Sequence, residues 1–361
     1  MIAVLARMAS QSGAPPSRLL GEFAALSFGP GKISFSDYAR LRLYDDAFWS
    51  GVDKKSVIGE RRGREIAHIA NHSHDREGLC ANRLALNAYL AAFGFPVAGV
   101  VAIFARGQAG RAPNLLHSRG ELRQFLSADA PYPLSAAPME RACGSAGTVL
   151  TGYDSASGML LCADGRGLPI DHFIADVSEA GRYLFQKPIG AHPAVTAVCG
   201  PGTGCVRVVT LRTDQGPRLF RACWSLPCGS DRRATDLLAQ LDLRTGAVLR
   251  VTRGAGPDLE EVNRHPGTGG RLIGACVPDW EALKATAVEA ARAMHPLTLI
   301  GWEIAPSDAG PVILGASETP DLTLHQIAER RGLLDEPFQA FLTAQRHAAA
   351  EEAEFHKAAA A

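Results

Sequence analysis

The sequence predicts an α+β fold, and three stretches carry that prediction: a helix-to-strand step at 79–104, a run of short strand candidates through the middle, and a helix followed by two strands near the end. In the first stretch Leu84, Leu86, Tyr89, Leu90 and Phe93 recur with helical spacing, and Gly94 stands where a left-handed C-cap belongs. The apolar run at 95–104 has the content of a buried strand, which makes a helix-to-strand step in an α/β layer. In the second, the candidates at 132–136, 148–150, 159–162, 183–186, 205–212 and 219–226 are punctuated by Gly, Asp and Ser turns, a mostly antiparallel pattern. In the third, Asp279 is expected to cap a helix running to Met294, with Trp280, Leu283, Ala287, Val288, Ala291 and Met294 on its apolar side. Strands at 298–305 and 311–314 follow, joined through Pro306-Ser307-Asp308-Ala309-Gly310, and a helical stretch at 326–332 precedes an Ala-rich tail. Residues 1–78, rich in Arg, Gly and Ser with only short apolar patches, are expected to form an extension of helices and loops.

The 361 residues are enough for two or three lobes and a large core. Their 37 basic and 37 acidic side chains cancel, so no global field draws the chain to nucleic acid or an anionic membrane, and a charged ligand must be recognised locally. No apolar run reaches the roughly 18 residues that span a bilayer, and Met1 to Arg7 lacks the pattern of a secretory leader. A cytoplasmic location is expected. Cys80, Cys143, Cys162, Cys199, Cys205, Cys223, Cys228 and Cys276 include no C-x-x-C pair and read as buried free thiols.

Three segments can carry chemistry. The loop Arg141-Ala142-Cys143-Gly144-Ser145-Ala146-Gly147-Thr148-Val149 lies between two strand candidates; glycines there permit backbone N–H groups to approach phosphate oxygens, although an ordinary hairpin turn would read the same way. Arg182-Tyr183-Leu184-Phe185-Gln186-Lys187-Pro188-Ile189 is a strand running into a proline hinge, where backbone groups can read an adenine edge. Val206-Arg207-Val208-Val209-Thr210 puts one arginine in an apolar strand. A buried cation needs an anionic partner, either an internal carboxylate or a phosphate or carboxylate ligand.

Taken in order, Tyr132-Pro133-Leu134, Gly144-x-x-Gly147, Tyr183-Leu184-Phe185-Gln186, Val206-Arg207-Val208-Val209-Thr210, His265-Pro266-x-Thr268-Gly269, Val277-Pro278-Asp279-Trp280 and Gly301-Trp302-Glu303-Ile304-Ala305 resemble the ATP-grasp proteins of the sugar-transfer-associated, or alpha-L-glutamate-ligase-related, type. The resemblance runs from about Pro30 to Leu334. It implies two α+β lobes enclosing a nucleotide cleft lined by Gly144, Ser145, Ala146 and Gly147 and by Gln186, Lys187, Pro188 and Ile189, with Arg207 and Glu303 in catalytic roles. In active relatives ATP phosphorylates a carboxylate, an amine or another nucleophile attacks the acyl phosphate, and magnesium neutralises phosphate charge. The implied boundaries are an extension at 1–78, an N-terminal α/β lobe at 79–130, a small lobe at 131–187, a C-terminal lobe at 188–334 and a helical tail at 335–361. The implied partners are ATP, a carboxylate or sugar-linked substrate, and a transferase or other pathway protein.

The departures from the family pattern bear on activity. Where relatives carry a lysine ahead of proline, this chain has Ala137-Pro138. Where they end on Gly-x-Asp and Glu-x-Asn to hold magnesium, it has Gly301-Trp302-Glu303 and Gly315-Ala316-Ser317, so Glu303 alone keeps a carboxylate. Glu318 lies one residue past the second position and reaches the metal side only through a bulge. At 229–238 the family's Asp-Asn and Gly-Asn pairs are reduced to Asp236. Magnesium is therefore expected to bind weakly or not at all, and a catalytically inactive scaffold is the alternative to a ligase. His68 and His72, near His74 and Asp75, have Arg-rich polar flanks and read as a solvated helix end, while Gly200-Pro201-Gly202-Thr203-Gly204 reads as a turn because no Lys-Ser or Lys-Thr follows it.

Overall fold

The chain is described by a computed structural model over residues 2–72, 78–107, 110, 112, 114–139, 147–226 and 237–360. It divides into two compact units, one of Met1–Glu77, Ala191–Pro311 and Ser317–Ala361, the other of Gly78–Gly190 and Val312–Ala316.

The first unit opens with α1 (Ile2–Ser12), α2 (Pro16–Phe28), α3 (Phe35–Arg40) and α4 (Glu60–Ala70). A capping box starts α3: the Ser34 hydroxyl accepts from the Asp37 N–H while the Asp37 carboxylate accepts from the Ser34 N–H. Met8, Leu19, Ile33, Tyr38, Leu41 and Trp49 build a buried cluster that also takes in Leu259 and Ile327, so residues 8–57 are packed into the unit.

The second unit holds α5 (Arg83–Ala92), β1 (Val100–Ala105), β2 (Leu115–Leu116), α6 (Arg119–Gln124), β3 (Leu134–Pro138), β4 (Thr148–Asp154), β5 (Met159–Cys162), β6 (Gly167–Pro169), α7 (Ile170–Ala180) and β7 (Arg182–Gln186). Asn82 caps α5, and Gly94 follows it at φ +78°. The sheet order is β2-β1-β7-β3-β4-β5-β6, with β1 and β2 parallel and the other pairs antiparallel. On α7, Ile170, Phe173, Ile174 and Val177 are buried at helical spacing and join Phe104, Leu134, Leu150 and Phe185 in one core. Val97 bridges Ile313 in this unit, where the Ile313 N–H donates to the Pro96 carbonyl at 2.8 Å.

The chain then returns to the first unit with α8 (Pro193–Cys199), β8 (Cys205–Thr213), β9 (Gly216–Leu226), β10 (Leu237–Leu241), β11 (Val248–Arg253), β12 (Glu260–Glu261), α9 (Trp280–Ala293), β13 (Leu299–Ser307), α10 (Leu322–Glu329) and α11 (Glu336–Ala360), while the middle of β14 (Gly310–Ser317) is counted with the second unit. The second seven-stranded sheet has the order β12-β11-β10-β9-β8-β13-β14. Alternation splits β8 and β13 between two faces. On one, the Trp302 indole N–H donates to the Thr210 hydroxyl at 3.0 Å; on the other lie Arg207, Val209, Gly301 and Glu303, with the apolar cluster of Val209, Leu211, Leu299, Leu322 and Phe338 alongside.

Two local expectations are corrected. Asp279 precedes α9 in the left-handed conformation and its side chain makes no capping bond, so it marks the helix start without closing it. The helix expected at 326–332 runs instead over Leu322–Glu329: the Asp321 carboxylate accepts from the Thr323 N–H at its start, and Arg330 at φ 49° ends it. Cys276 is exposed, unlike the buried Cys162, Cys199 and Cys223, while Cys143 and Cys228 lie outside the described residues. Among the described residues no helix is long and apolar enough to cross a membrane.

Candidate functional site

The sequence-singled Arg207 and Glu303 meet. They are register partners on β8 and β13, and Arg207 Nη1 lies 3.0 Å from Glu303 Oε1. The Glu303 side chain is 11% exposed and that of Arg207 24%, so the pair sits largely out of water and each charge needs the other. On its other side Arg207 faces Cys223 in the β9 register, and its Nε donates to the Ser225 hydroxyl at 3.3 Å. Burial pushes the Cys223 thiol up to about 12, against the pull of the neighbouring guanidinium.

Beside this pair stands His325 of α10, 3% exposed, with no hydrogen-bond partner for its Nδ1 among the described residues. Burial first, and the Arg207 guanidinium second, hold its imidazole down to about 3, with Asp321 opposing and Arg221 adding to the effect. The imidazole is therefore neutral at pH 7. Further along β9, Arg221 lies 3.3 Å from Glu329 and 3.5 Å from Asp335. Burial raises the Glu329 carboxyl while Arg221 pulls it back.

β14 ends at Ser317, so Glu318 has left the strand and strand alternation no longer dictates its direction. Its backbone is fixed from elsewhere: the Asn71 side-chain amide donates to the Glu318 carbonyl at 2.9 Å. A Cβ added at Gly301 would come 2.5 Å from the Pro320 Cβ, so the segment after β14 lies against β13 two residues before Glu303. Among the described residues, no group of three or more His, Cys, Asp or Glu side chains could hold a metal ion.

In the second unit the proposed nucleotide segments flank one strand. Ser135 of β3 is in register with Gln186 of β7, and Ala136 with Thr148 of β4. Gly144, Ser145 and Ala146 lie outside the described residues, as do Asp236, His74 and Asp75. Gly147 is described, and its lack of a side chain has a local reason: a Cβ there would come 2.5 Å from the Ala136 carbonyl oxygen. At the hinge, the Gln186 amide donates to the Ala98 carbonyl at 3.2 Å and the Lys187 N–H to Gly99 at 2.8 Å. Lys187 is exposed, and Pro188 and Ile189 are half-buried.

Sequence reasoning missed Asn71, Ser225 and His325. A lone Ser in a strand, a lone His in a short helix and an Asn at a helix end carry no pattern; only the paired strands and α10 bring them to Arg207 and β13.

Residues 172–341 match the family described as sugar-transfer associated ATP-grasp. The fold is similar to that of the L-amino acid ligase from Bacillus licheniformis, at 10% identity over 70% of this chain and 43% of that one with a TM-score of 0.36. It is also similar to the D-alanine–D-alanine ligase from Bacillus anthracis, at 11% identity over 76% and 70% of the two chains with a TM-score of 0.43. For the D-alanine–D-alanine ligase from Coxiella burnetii the values are 9% identity, 78% and 60%, and 0.42. The chain thus spans less than half the length of the first of these ligases. No functionally curated protein matches the chain.

Proposed function

We infer, from the match of residues 172–341 to the sugar-transfer associated ATP-grasp family, that this protein binds ATP and has lost most or all of the carboxylate-activating chemistry of active relatives. The observation that carries this reading is the Arg207–Glu303 ion pair at 3.0 Å.

A magnesium ion held by Glu303 would have to share that carboxylate with a guanidinium and sit close to its positive charge, which is unfavourable in a partly buried place. The donor set around it is also poor, since magnesium asks for hard oxygen ligands in near-octahedral geometry, and the family positions matched by Gly315 and Ser317 supply neither a carboxylate nor an amide. The residues present do not fit a magnesium site of the family's kind.

ATP fits better. In the second unit Gly144, Ser145, Ala146 and Gly147 are the proposed phosphate contacts, through backbone N–H groups, and Gln186, Lys187, Pro188 and Ile189 the proposed base contacts. Taken by itself, Arg207 of the first unit is proposed as a cation for a phosphate or carboxylate oxygen, because a guanidinium has five N–H groups and can hold Glu303 while meeting another oxygen. Such a protein serves its pathway by binding, as a nucleotide-dependent scaffold for a transferase or another partner. Thermal unfolding in rising ATP tests the first step: a ligand that binds only the folded state raises the melting temperature. A rise is expected, and an unchanged melting temperature at millimolar ATP would remove the reading.

A further inference from the structure

One polar junction in the first unit belongs to a residue with no role in the family pattern. Asn71 follows α4 and its amide makes five side-chain contacts. Nδ2 donates to the Leu299 carbonyl at 2.8 Å and to the Glu318 carbonyl at 2.9 Å. Oδ1 accepts from the Thr298 N–H at 2.8 Å and the Leu299 N–H at 3.0 Å, with the Thr298 hydroxyl at 3.3 Å. An amide has two donor hydrogens and one acceptor oxygen, and here both ends are fully used.

Four of these partners are backbone atoms, so Asn71 reads the position of the chain and not its side chains. They also lie at two particular places. Leu299 opens β13, four residues before Glu303, and Glu318 is the first residue after β14. One side chain therefore ties the entry of the strand that carries the retained carboxylate to the exit segment that carries the displaced one. The close approach of Pro320 to Gly301 supports the same geometry, because Gly301 and Glu303 share a strand face.

A second amide repeats the device. Gln326 Oε1 accepts from the Ile58 N–H and its Nε2 donates to the Ile58 carbonyl, each at 2.9 Å, in a site 1% exposed. Arg40 adds a bond to the Thr323 hydroxyl at 2.8 Å. The N-terminal segment thus grips 298–326 at three points.

We propose that Asn71 is a positioning residue for the ligand-facing ends of β13 and β14, setting Glu303 and Glu318 relative to Arg207. The proposal rests on the reading of Arg207 as the phosphate cation. It is tested in the full chain with Asn71→Ala and Asn71→Asp, the latter keeping the acceptor and losing both donors. Asn82→Ala, which removes a comparable cap on α5, is the control.

Two readouts are needed: amide hydrogen exchange by peptide, and the ratio of ATP to adenosine affinity. With Asn71→Ala, peptides covering 298–305 and 317–323 should exchange at least tenfold faster, those covering β10 and β11 should be unchanged, and the affinity ratio should fall at least fivefold. Asn71→Asp should give an intermediate loss, and Asn82→Ala should move neither quantity. Faster exchange across the whole unit, or a local change with an unaltered ratio, would overturn the positioning role. If the unmodified protein binds neither ATP nor adenosine, the nucleotide reading fails, and the exchange pattern alone then decides whether Asn71 holds the two segments.

Discussion

Arg207 on β8 and Glu303 on β13 face each other across one register pair, with 3.0 Å between guanidinium and carboxylate. The carboxylate that matches a magnesium-ligand position of the family pattern is thereby half of an internal ion pair. Both descriptions can be separated by measurement.

Breaking the pair from one side leaves a mostly buried charge without its counter-ion. Arg207→Met should lower unfolding stability by about 2 kcal/mol, a discounted figure because the arginine is partly exposed. The double variant Arg207→Met with Glu303→Met should recover a large part of that loss, since two apolar side chains leave no stranded charge. Urea denaturation of Arg207→Met, Glu303→Met and the double variant checks this; additive losses would mean the two residues act independently.

His325 makes stability depend on pH in a defined window. Its folded value near 3 lies below the unfolded value of 6.5, so the unfolded chain binds a proton that the folded chain refuses. The contribution is complete above pH 6.5 and is lost as pH falls toward 3. At pH 5 the loss amounts to about 2 kcal/mol. His325→Gln should be less stable at pH 7.5 and should show a smaller drop on going to pH 5. An unchanged drop would place the titrating groups elsewhere.

Two glycines should respond with opposite signs. Gly301→Ala forces a Cβ to 2.5 Å from Pro320 and should cost about 1–3 kcal/mol, as overpacking does. Gly63→Ala, in the middle of α4 with nothing nearer than 3.9 Å, should stabilise by about 0.5–1 kcal/mol through helix propensity and a less flexible unfolded chain. Thermal melts of the two variants are enough to check both signs.

How much of this was legible in the sequence follows from the range of the interactions involved. The spacing of Leu86 and Leu90 with Gly94 after them gave α5, and the apolar flanks of Arg207 gave β8, because both signals are local. For α7 the signal was present and went unused: Ile170, Phe173, Ile174 and Val177 repeat at helical spacing and Gly181 closes the helix at φ +76°. The α10 boundaries differ from the expected 326–332 because Asp321 after Pro320 is the start signal and 326 lies inside the helix. Arg207's two open partners, an internal carboxylate or a ligand, could not be separated without the β8–β13 register. The Asn71 junction was out of reach, since its partners are main-chain atoms 227 to 247 residues away.

Magnesium dependence of ATP binding tests the central claim most directly, because it asks whether Glu303 is available to a metal. The melting temperature should be measured with ATP in the presence of magnesium and again with a chelator. With Glu303 held by Arg207, the ATP-induced rise should be nearly the same in both. A rise confined to magnesium, together with ATP turnover that Glu318→Ala abolishes and Glu318→Gln weakens, would contradict the account and make Glu318 the replacement ligand of a working enzyme.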